Sequence, residues 1–101
     1  MTFTSRNPNF KRRIEDQLTR QNFMHHMNFA LSRIEAGRME GELEVTLIHY
    51  QQDGFVHGGV IATIADIVAG FSAVSLVAED QRVVTGEIKI CLLYTSPSPR
   101  D

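Results

Sequence analysis

The sequence has little cysteine, with one residue, Cys91, in a chain of 101. A single cysteine cannot form a disulfide within the chain, so small proteins built on disulfide frameworks are excluded and a reducing compartment is expected. The first 20 residues also lack an apolar run of the kind found in secretory signals. Together these absences predict a cytoplasmic protein.

The sequence also has no excess of basic residues over acidic ones. The formal net charge is -2, with 10 Lys and Arg against 12 Asp and Glu. The one basic cluster, Lys11-Arg12-Arg13, is followed at once by Glu15 and Asp16, so no nucleic acid partner is predicted. Hydrophobic residues make up 43% and charged residues 22% of the chain, which is ordinary for one globular domain.

Two kinds of catalytic site have no support in the spacing of the residues. His25, His26 and His49 do not have the spacing of metal ligands. Ser72 and Ser75 do not lie on the sharp turn that carries a serine nucleophile. The sequence therefore predicts neither a metal site nor a serine hydrolase.

One long segment is almost free of charge. Residues 60–78 contain a single carboxylate, Asp66, and they follow His57-Gly58-Gly59. The segment is too long for one strand and shows no period of two, which predicts a helix. Glycines at the start of a helix leave backbone N–H donors accessible, so we expect a helix whose first turn offers hydrogen bonds and whose middle holds one acid.

Asp66 belongs to a stripe of small residues on that helix. At about 100° per residue, the following residues fall within about 60° of it: Gly59, Ala62, Ala69, Gly70 and Ala73. The large residues lie on the far side: Ile61, Ile64, Val68 and Phe71. A helix that is apolar nearly all round is normally buried, and a buried carboxylate is costly unless it is paired, hydrogen-bonded or protonated. One alternative is a core Asp that is hydrogen-bonded to a neighbouring backbone group. Another is a membrane-spanning helix, although the many small residues and the central acid argue against it.

The remaining patterns predict a small α+β domain. Phe10, Ile14 and Leu18 recur at four-residue spacing and predict a helix from about Pro8 to Asn22. The other predicted elements are a strand at Phe29–Glu35, a turn at Gly37-Arg38, a strand at Glu42–Leu47 with Leu43, Val45 and Leu47 facing inward, a loop over residues 51–56, and a strand at Val83–Ile90.

These residues resemble a known family. The run Gln51–Gly59, then Asp66 and then Val83–Ile90, is similar to the hotdog-fold thioesterases of the phenylacetate-pathway (PaaI-type) family, in the 4-hydroxybenzoyl-CoA thioesterase superfamily. The resemblance extends from about Phe23 to Ile90 and is strongest from Gln51 to Asp66. It implies a hotdog fold, in which an antiparallel sheet wraps around a long central helix. It also implies hydrolysis of acyl-CoA, with coenzyme A as part of the substrate and no separate cofactor.

The resemblance assigns the base or nucleophile to Asp66 and the oxyanion contact to the backbone N–H of Gly59. These residues are seven positions apart, about 10.5 Å along one helix, so they cannot both touch one carbonyl from the same chain. If two such helices pack antiparallel through their small-residue stripes, Asp66 of one chain approaches Gly59 of the other. The prediction is an active site shared across a homodimer or a dimer of dimers.

The remaining site residues implied by the resemblance are Gln51, His57, Gly58 and Thr85. Gln51 lies six residues before His57, where related enzymes place an Asn that orients water or the carbonyl. Thr85 matches a Ser or Thr that hydrogen-bonds the water or the acid. An ordinary loop role for Gln51 and an ordinary strand role for Thr85 stay open, and His57 is expected to hold the loop and the helix start rather than to carry protons.

Two other functions stay open on the same fold. One is a non-catalytic module that binds acyl-CoA, for which Asp66 is dispensable. The other is a hotdog hydratase or dehydratase, although those enzymes pair a catalytic His with an acid at different spacings.

Residues 91–101 carry a different pattern. Their Ser-Pro-Ser-Pro run cannot continue a strand ladder, and the segment resembles the conceptual translation of a sequencing adapter. A genuine proline-rich terminus is the alternative. We interpret residues 1–90 as the N-terminal part of a hotdog thioesterase domain and residues 91–101 as a non-native tail. A fragment without the remaining strands is expected to be marginally stable and inactive.

Overall fold

The computed structural model describes residues 2–90. Its elements in chain order are α1 (Phe10–Thr19), α2 (Asn22–His26), β1 (Phe29–Glu35), β2 (Arg38–Leu43), a 3₁₀ turn (Leu47–His49) and α3 (Gly58–Val74). The two strands form an antiparallel hairpin, and α3 packs against it mainly through β2. This arrangement confirms the predicted α+β class.

Helix α1 follows the predicted apolar spacing. Ile14 is fully buried, and Phe10 and Leu18 pack against the same core. The helix ends at Thr19, earlier than predicted, because the chain turns at Arg20 and Gln21 and then starts the short helix α2.

The hairpin confirms the first predicted strand and corrects the second. Strand β1 spans Phe29–Glu35 as predicted, and the turn places Gly37 in the left-handed region with φ of 74°. Strand β2 spans Arg38–Leu43 rather than Glu42–Leu47.

The register of the hairpin explains this correction. Arg38 pairs with Glu35 and Leu43 pairs with Phe29, the first residue of β1, so the ladder ends at Leu43. Leu43 contacts the core as predicted. Val45 and Leu47 were predicted to face inward but are 43% and 86% exposed.

Helix α3 covers the core with one face only. Val60, Phe71 and Val74 are buried on it, and Phe71 and Val74 share a cluster with core residues of α1 and the hairpin. Ile61 is 44% exposed, so the expectation of burial nearly all round is wrong for a single chain. The reason is that the sheet has two strands within residues 2–90 and reaches only one side of the helix.

The end of α3 is tied to the hairpin turn by one hydroxyl group. Ser75 is completely buried, and its Oγ accepts a hydrogen bond of 2.7 Å from the Gly37 N–H. The same hydroxyl donates to the Ser72 carbonyl at 2.6 Å. This contact fixes the position of the helix relative to the turn.

The predicted strand at Val83–Ile90 is not formed within the described residues. Val83 packs against the core, whereas Val84 is 88% and Ile88 is 46% exposed. A strand needs a hydrogen-bonded neighbour, and the only ladder in residues 2–90 joins β1 to β2. The predictions for residues 91–101 lie outside the described range.

No helix in residues 2–90 is long and apolar enough to cross a lipid bilayer. The interpretation of residues 58–78 as a membrane span therefore has no support in this part of the chain.

Candidate functional site

Asp66 lies in the middle of α3 and is half-buried. Its Oδ1 accepts a hydrogen bond of 2.7 Å from the Thr85 hydroxyl, which lies in the irregular segment that follows the helix. The carboxylate thus has a side-chain partner, rather than the backbone partner of a plain core Asp. A hydrogen bond to an ionised carboxylate is stronger than one between neutral groups, so Thr85 restrains the orientation of Asp66.

Asp66 and Thr85 lie on the wall of a cavity of about 350 Å³, which we call the Asp66 cavity. Helix α1 contributes polar side chains to one wall. The apolar part of the lining comes from α3 and the segment after it and includes Ile67, Phe71, Val74 and Val83. A volume of this size fits a small organic group, with the carboxylate at its edge.

The start of α3 is organised by His57. His57 lies just before the helix in an extended conformation, and its Nδ1 accepts a hydrogen bond of 2.8 Å from the Gly59 N–H. This bond places the ring proton of neutral His57 on Nε2. The backbone N–H of His57 in turn donates to the His49 carbonyl at 2.8 Å. His57 therefore joins the loop to the first turn of the helix.

The hydrogen bond to His57 makes the backbone N–H groups of the two glycines differ. The Gly59 N–H already has an acceptor, whereas no acceptor for the Gly58 N–H is found among residues 2–90. Gly58 is exposed at the positive end of the helix dipole. Gly58 is therefore better placed than Gly59 to donate to a carbonyl oxygen, and the assignment of this contact to Gly59 stays a prediction that the His57 bond weighs against.

His49 is a residue whose importance the sequence analysis missed. Its side chain is fully buried, Nδ1 accepts from the Thr46 N–H at 2.9 Å, and Nε2 donates to the Met27 carbonyl at 2.7 Å. Together with the bond from His57, these contacts brace the loop before α3. The signal in the sequence is Thr46 three residues before His49, the spacing of a reciprocal cap.

Gln51 forms hydrogen bonds within its own loop. Its backbone N–H donates to the Phe55 carbonyl at 2.7 Å, and its side-chain oxygen accepts from the Asp53 N–H. Gln51 is not among the residues that line the Asp66 cavity. Its predicted role in orienting water or substrate stays a prediction.

Within a single chain, five of the predicted site residues therefore lie in two separate places. Asp66 and Thr85 meet at the Asp66 cavity, whereas His57, Gly58 and Gly59 lie at the start of α3 and do not line that cavity. Among residues 2–90, no group of three or more His, Cys, Asp or Glu side chains has the arrangement of a metal site.

Three comparisons with known proteins all find similarity to thioesterases. Residues 53–93 match the family model described as the thioesterase superfamily. A curated relative, the proofreading thioesterase EntH of Klebsiella pneumoniae subsp. pneumoniae, is 32% identical over 63 residues, which are 62% of this chain and 46% of that protein. A crystal structure of a thioesterase family protein from Silicibacter pomeroyi superposes with a TM-score of 0.81 at 29% identity, covering 84% of this chain and 62% of the other.

The chain is therefore similar to proteins of the thioesterase superfamily, and its small antiparallel sheet and long helix are those of a hotdog fold. The chain spans about half the length of the curated relative that it matches. The PaaI-type subfamily and the division of the chain at residue 90 stay predictions.

Proposed function

We propose that the domain to which residues 1–90 belong hydrolyses acyl-CoA thioesters, with Asp66 as general base or nucleophile. The observation that carries the proposal is the Asp66–Thr85 pair on the wall of a partly apolar cavity. The similarity to the thioesterase superfamily supports the reaction class. Coenzyme A as the thiol component and the PaaI-type subfamily rest on the sequence resemblance. A cytoplasmic location rests on the low cysteine content and on the lack of an apolar run in the first 20 residues.

In the general-base form, Asp66 removes a proton from a water molecule as the water oxygen attacks the thioester carbon. The carbonyl oxygen gains negative charge, which backbone N–H donors at a helix start stabilise. Collapse of the intermediate breaks the carbon–sulfur bond and releases the acid, and the proton on Asp66 passes to the departing thiolate. In the nucleophilic form, the carboxylate attacks the carbon directly, and the carbon–sulfur bond breaks as the thiolate leaves, which gives an anhydride. Water then hydrolyses the anhydride, releasing the acid, restoring the Asp66 carboxylate and supplying the proton that the thiolate takes up. Thr85 orients the carboxylate in both forms.

We further propose that the oxyanion donor comes from a second copy of the chain. Gly58 and Asp66 lie on one continuous helix, eight positions apart, which is about 12 Å along the axis. The face of α3 that includes Gly58, Gly59, Ala65 and Ala69 is exposed in one chain and carries side chains small enough for two helices to approach closely. A homodimer, or a dimer of dimers, with antiparallel α3 helices brings the two groups together.

The proposed role of Asp66 is tested in the complete domain by measuring hydrolysis of a panel of acyl-CoA thioesters by the Asp66→Asn variant. We expect the rate to fall by about 10²–10⁴-fold, since Asn cannot accept the proton or form the anhydride. Asp53→Asn in the exposed loop is the matched control and is expected to keep the wild-type rate. A wild-type rate for Asp66→Asn would reject the proposal and favour a non-catalytic acyl-CoA-binding module.

The shared site is tested with Gly58→Pro, which removes the N–H at the first helical position, where proline is tolerated. Gly58→Ala keeps the N–H and is the control. When inactive Gly58→Pro and inactive Asp66→Asn chains are mixed, each mixed dimer regains one intact site, so we expect roughly a quarter of the wild-type rate at equal concentrations. Mixtures that form dimers but stay inactive would exclude the shared site.

A further inference from the structure

Helix α3 has a glycine in its interior that lines the Asp66 cavity. Gly70 lies four residues after Asp66 and four residues before Val74, and all three line the cavity. Residues at this spacing form one row along a helix face, with about 6 Å along the axis between neighbours. The middle member of this row has no side chain, which leaves an opening between the side chains of Asp66 and Val74.

The fold itself gives no reason for a glycine at position 70. Glycine is, after proline, the least favourable residue in a helix interior. The glycines with positive φ, Gly37 and Gly54, lie outside the helices, and a Cβ on Gly41 would overlap the Phe29 ring. A Cβ on Gly70, by contrast, would have no heavy atom of residues 2–90 within 4 Å, apart from its chain neighbours and the adjacent backbone of its own helix. Neither backbone conformation nor packing within the chain therefore requires glycine here.

A side chain at position 70 would extend towards the proposed catalytic carboxylate. In an α-helix the Cα–Cβ bonds tilt towards the N-terminus, so a side chain covers the turn that precedes its own residue. The turn that precedes Gly70 carries Asp66 and Ile67, which both line the cavity. The missing side chain therefore keeps the cavity side of Asp66 open, although glycine lowers the stability of the helix.

The side chains around this opening are held in place. Phe71 and Val74 are buried in the hydrophobic core, and Val83 packs against that core. The Asp66 carboxylate accepts a hydrogen bond of 2.7 Å from Thr85. Because packing and hydrogen bonding fix these neighbours, the residue at position 70 decides how much space remains beside the carboxylate.

We propose that Gly70 sets the size limit for the acyl group that Asp66 can reach. The inference rests on the proposed function, which places the thioester carbon at the Asp66 carboxylate. The acyl carbons next to the thioester carbon then lie over Gly70, in the space that a side chain would occupy. Gly70 is thus a specificity-determining residue, because it takes no part in the reaction but admits acyl groups that are bulky beside the carbonyl.

The test compares two thioesters on the same preparation of the complete domain: acetyl-CoA, and benzoyl-CoA, in which a ring adjoins the carbonyl. We expect the wild type to hydrolyse both. Gly70→Leu is expected to lower kcat/KM by about 100-fold or more for benzoyl-CoA and by less than about threefold for acetyl-CoA, since a change of one carbon in a pocket alters kcat/KM by roughly 10–200-fold. The ratio of the two values does not depend on the fraction of folded protein, so a loss of stability alone leaves it unchanged.

Gly86→Leu is the matched control. A Cβ on Gly86 also has no heavy atom of residues 2–90 within 4 Å, but Gly86 is not among the residues that line the Asp66 cavity. We expect this variant to keep the wild-type ratio of the two kcat/KM values. Gly70→Ala covers the case in which leucine prevents folding. Its midpoint in urea is expected to rise, because alanine is the better helix former, while its ratio of benzoyl-CoA to acetyl-CoA hydrolysis falls by about tenfold.

An equal loss for both thioesters in Gly70→Leu would overturn the inference, and it is the result expected if Gly70 instead serves the close approach of another helix. A wild type that hydrolyses acetyl-CoA through Asp66 but not benzoyl-CoA would also overturn it. In both cases the proposed function survives.

A binding measurement separates the opposite case, in which Asp66→Asn keeps the wild-type rates and the catalytic proposal fails. The probes are phenacyl-CoA and acetonyl-CoA, thioethers that cannot be hydrolysed, and their dissociation constants are measured by calorimetry. A loss of affinity in Gly70→Leu for phenacyl-CoA alone would support the size limit without catalysis by Asp66. An equal loss for both probes would reject it.

Discussion

The buried hydroxyl of Ser75 provides a sharp test of how the fold is held together. It is the only acceptor found for the Gly37 N–H within residues 2–90, and it connects the end of α3 to a turn 38 positions earlier in the chain. Ser75→Ala removes that acceptor with almost no change in side-chain volume. We expect the free energy of unfolding to fall by about 1–3 kcal/mol, the range for a buried donor left without a partner. For a domain of this size, that loss lowers Tm by roughly 5–20 °C.

The same helix offers a matched control for this substitution. Ser72 also donates its hydroxyl to a carbonyl, that of Val68 at 2.8 Å, but this bond stays within the helix. Ser72→Ala leaves the backbone hydrogen bonds intact and improves helix propensity, so we expect a change within about 0.5 kcal/mol. Ser75→Cys is expected to fall between the two, because a thiol is a weaker donor and acceptor.

The assay is urea denaturation followed by circular dichroism, with Tm measured in parallel. The midpoint should shift in Ser75→Ala without a change in the slope, since the substitution does not alter the surface exposed on unfolding. Equal stabilities of the Ser75→Ala and Ser72→Ala variants would refute the view that this contact holds the helix to the hairpin.

Two further predictions concern stability. His49→Phe keeps a ring in the fully buried site but leaves two backbone groups without partners. We therefore expect the free energy of unfolding, measured by urea denaturation, to fall by about 2–5 kcal/mol. His26→Phe on the surface is the control and is expected to change it little. A wild-type midpoint for His49→Phe would contradict this reasoning. Gly41→Ala places a methyl group against the Phe29 ring, so we expect the free energy of unfolding to fall by about 1–3 kcal/mol. This penalty should shrink when Phe29 is also changed to Leu. Equal penalties in both backgrounds would show that the Phe29 contact is not the cause.

Part of the candidate site was predictable because its signals are local. His57-Gly58-Gly59 predicts the start of α3, since a cap and the first helical turn involve adjacent residues. The lone charge of Asp66 in an apolar segment marks it without any knowledge of the fold. Its hydrogen bond to Thr85 was anticipated only through the family resemblance, because the two residues are 19 positions apart.

Other features of the site could not be predicted from local patterns. The preference for Gly58 over Gly59 as a free donor depends on where the His57 ring points, and a sequence does not specify a side-chain rotamer. The position of Arg13 beside the Asp66 cavity depends on contacts with Ala78 and Gln81, which are 65 and 68 positions away.

The sequence by itself determined the α+β class, helix α1, strand β1 and the position of the long helix, because apolar periodicity and caps act between neighbours in the chain. Only the tertiary structure decided that β2 ends at Leu43 and that residues 83–90 form no strand, since both depend on which backbone lies alongside. It also decided that Asp66 lies on the wall of a cavity that Arg13 of α1 lines as well. The physical reason is that hydrogen bonding between strands and packing between helices join residues far apart in the chain, whereas a pattern in one sequence reports only on residues that are close along it.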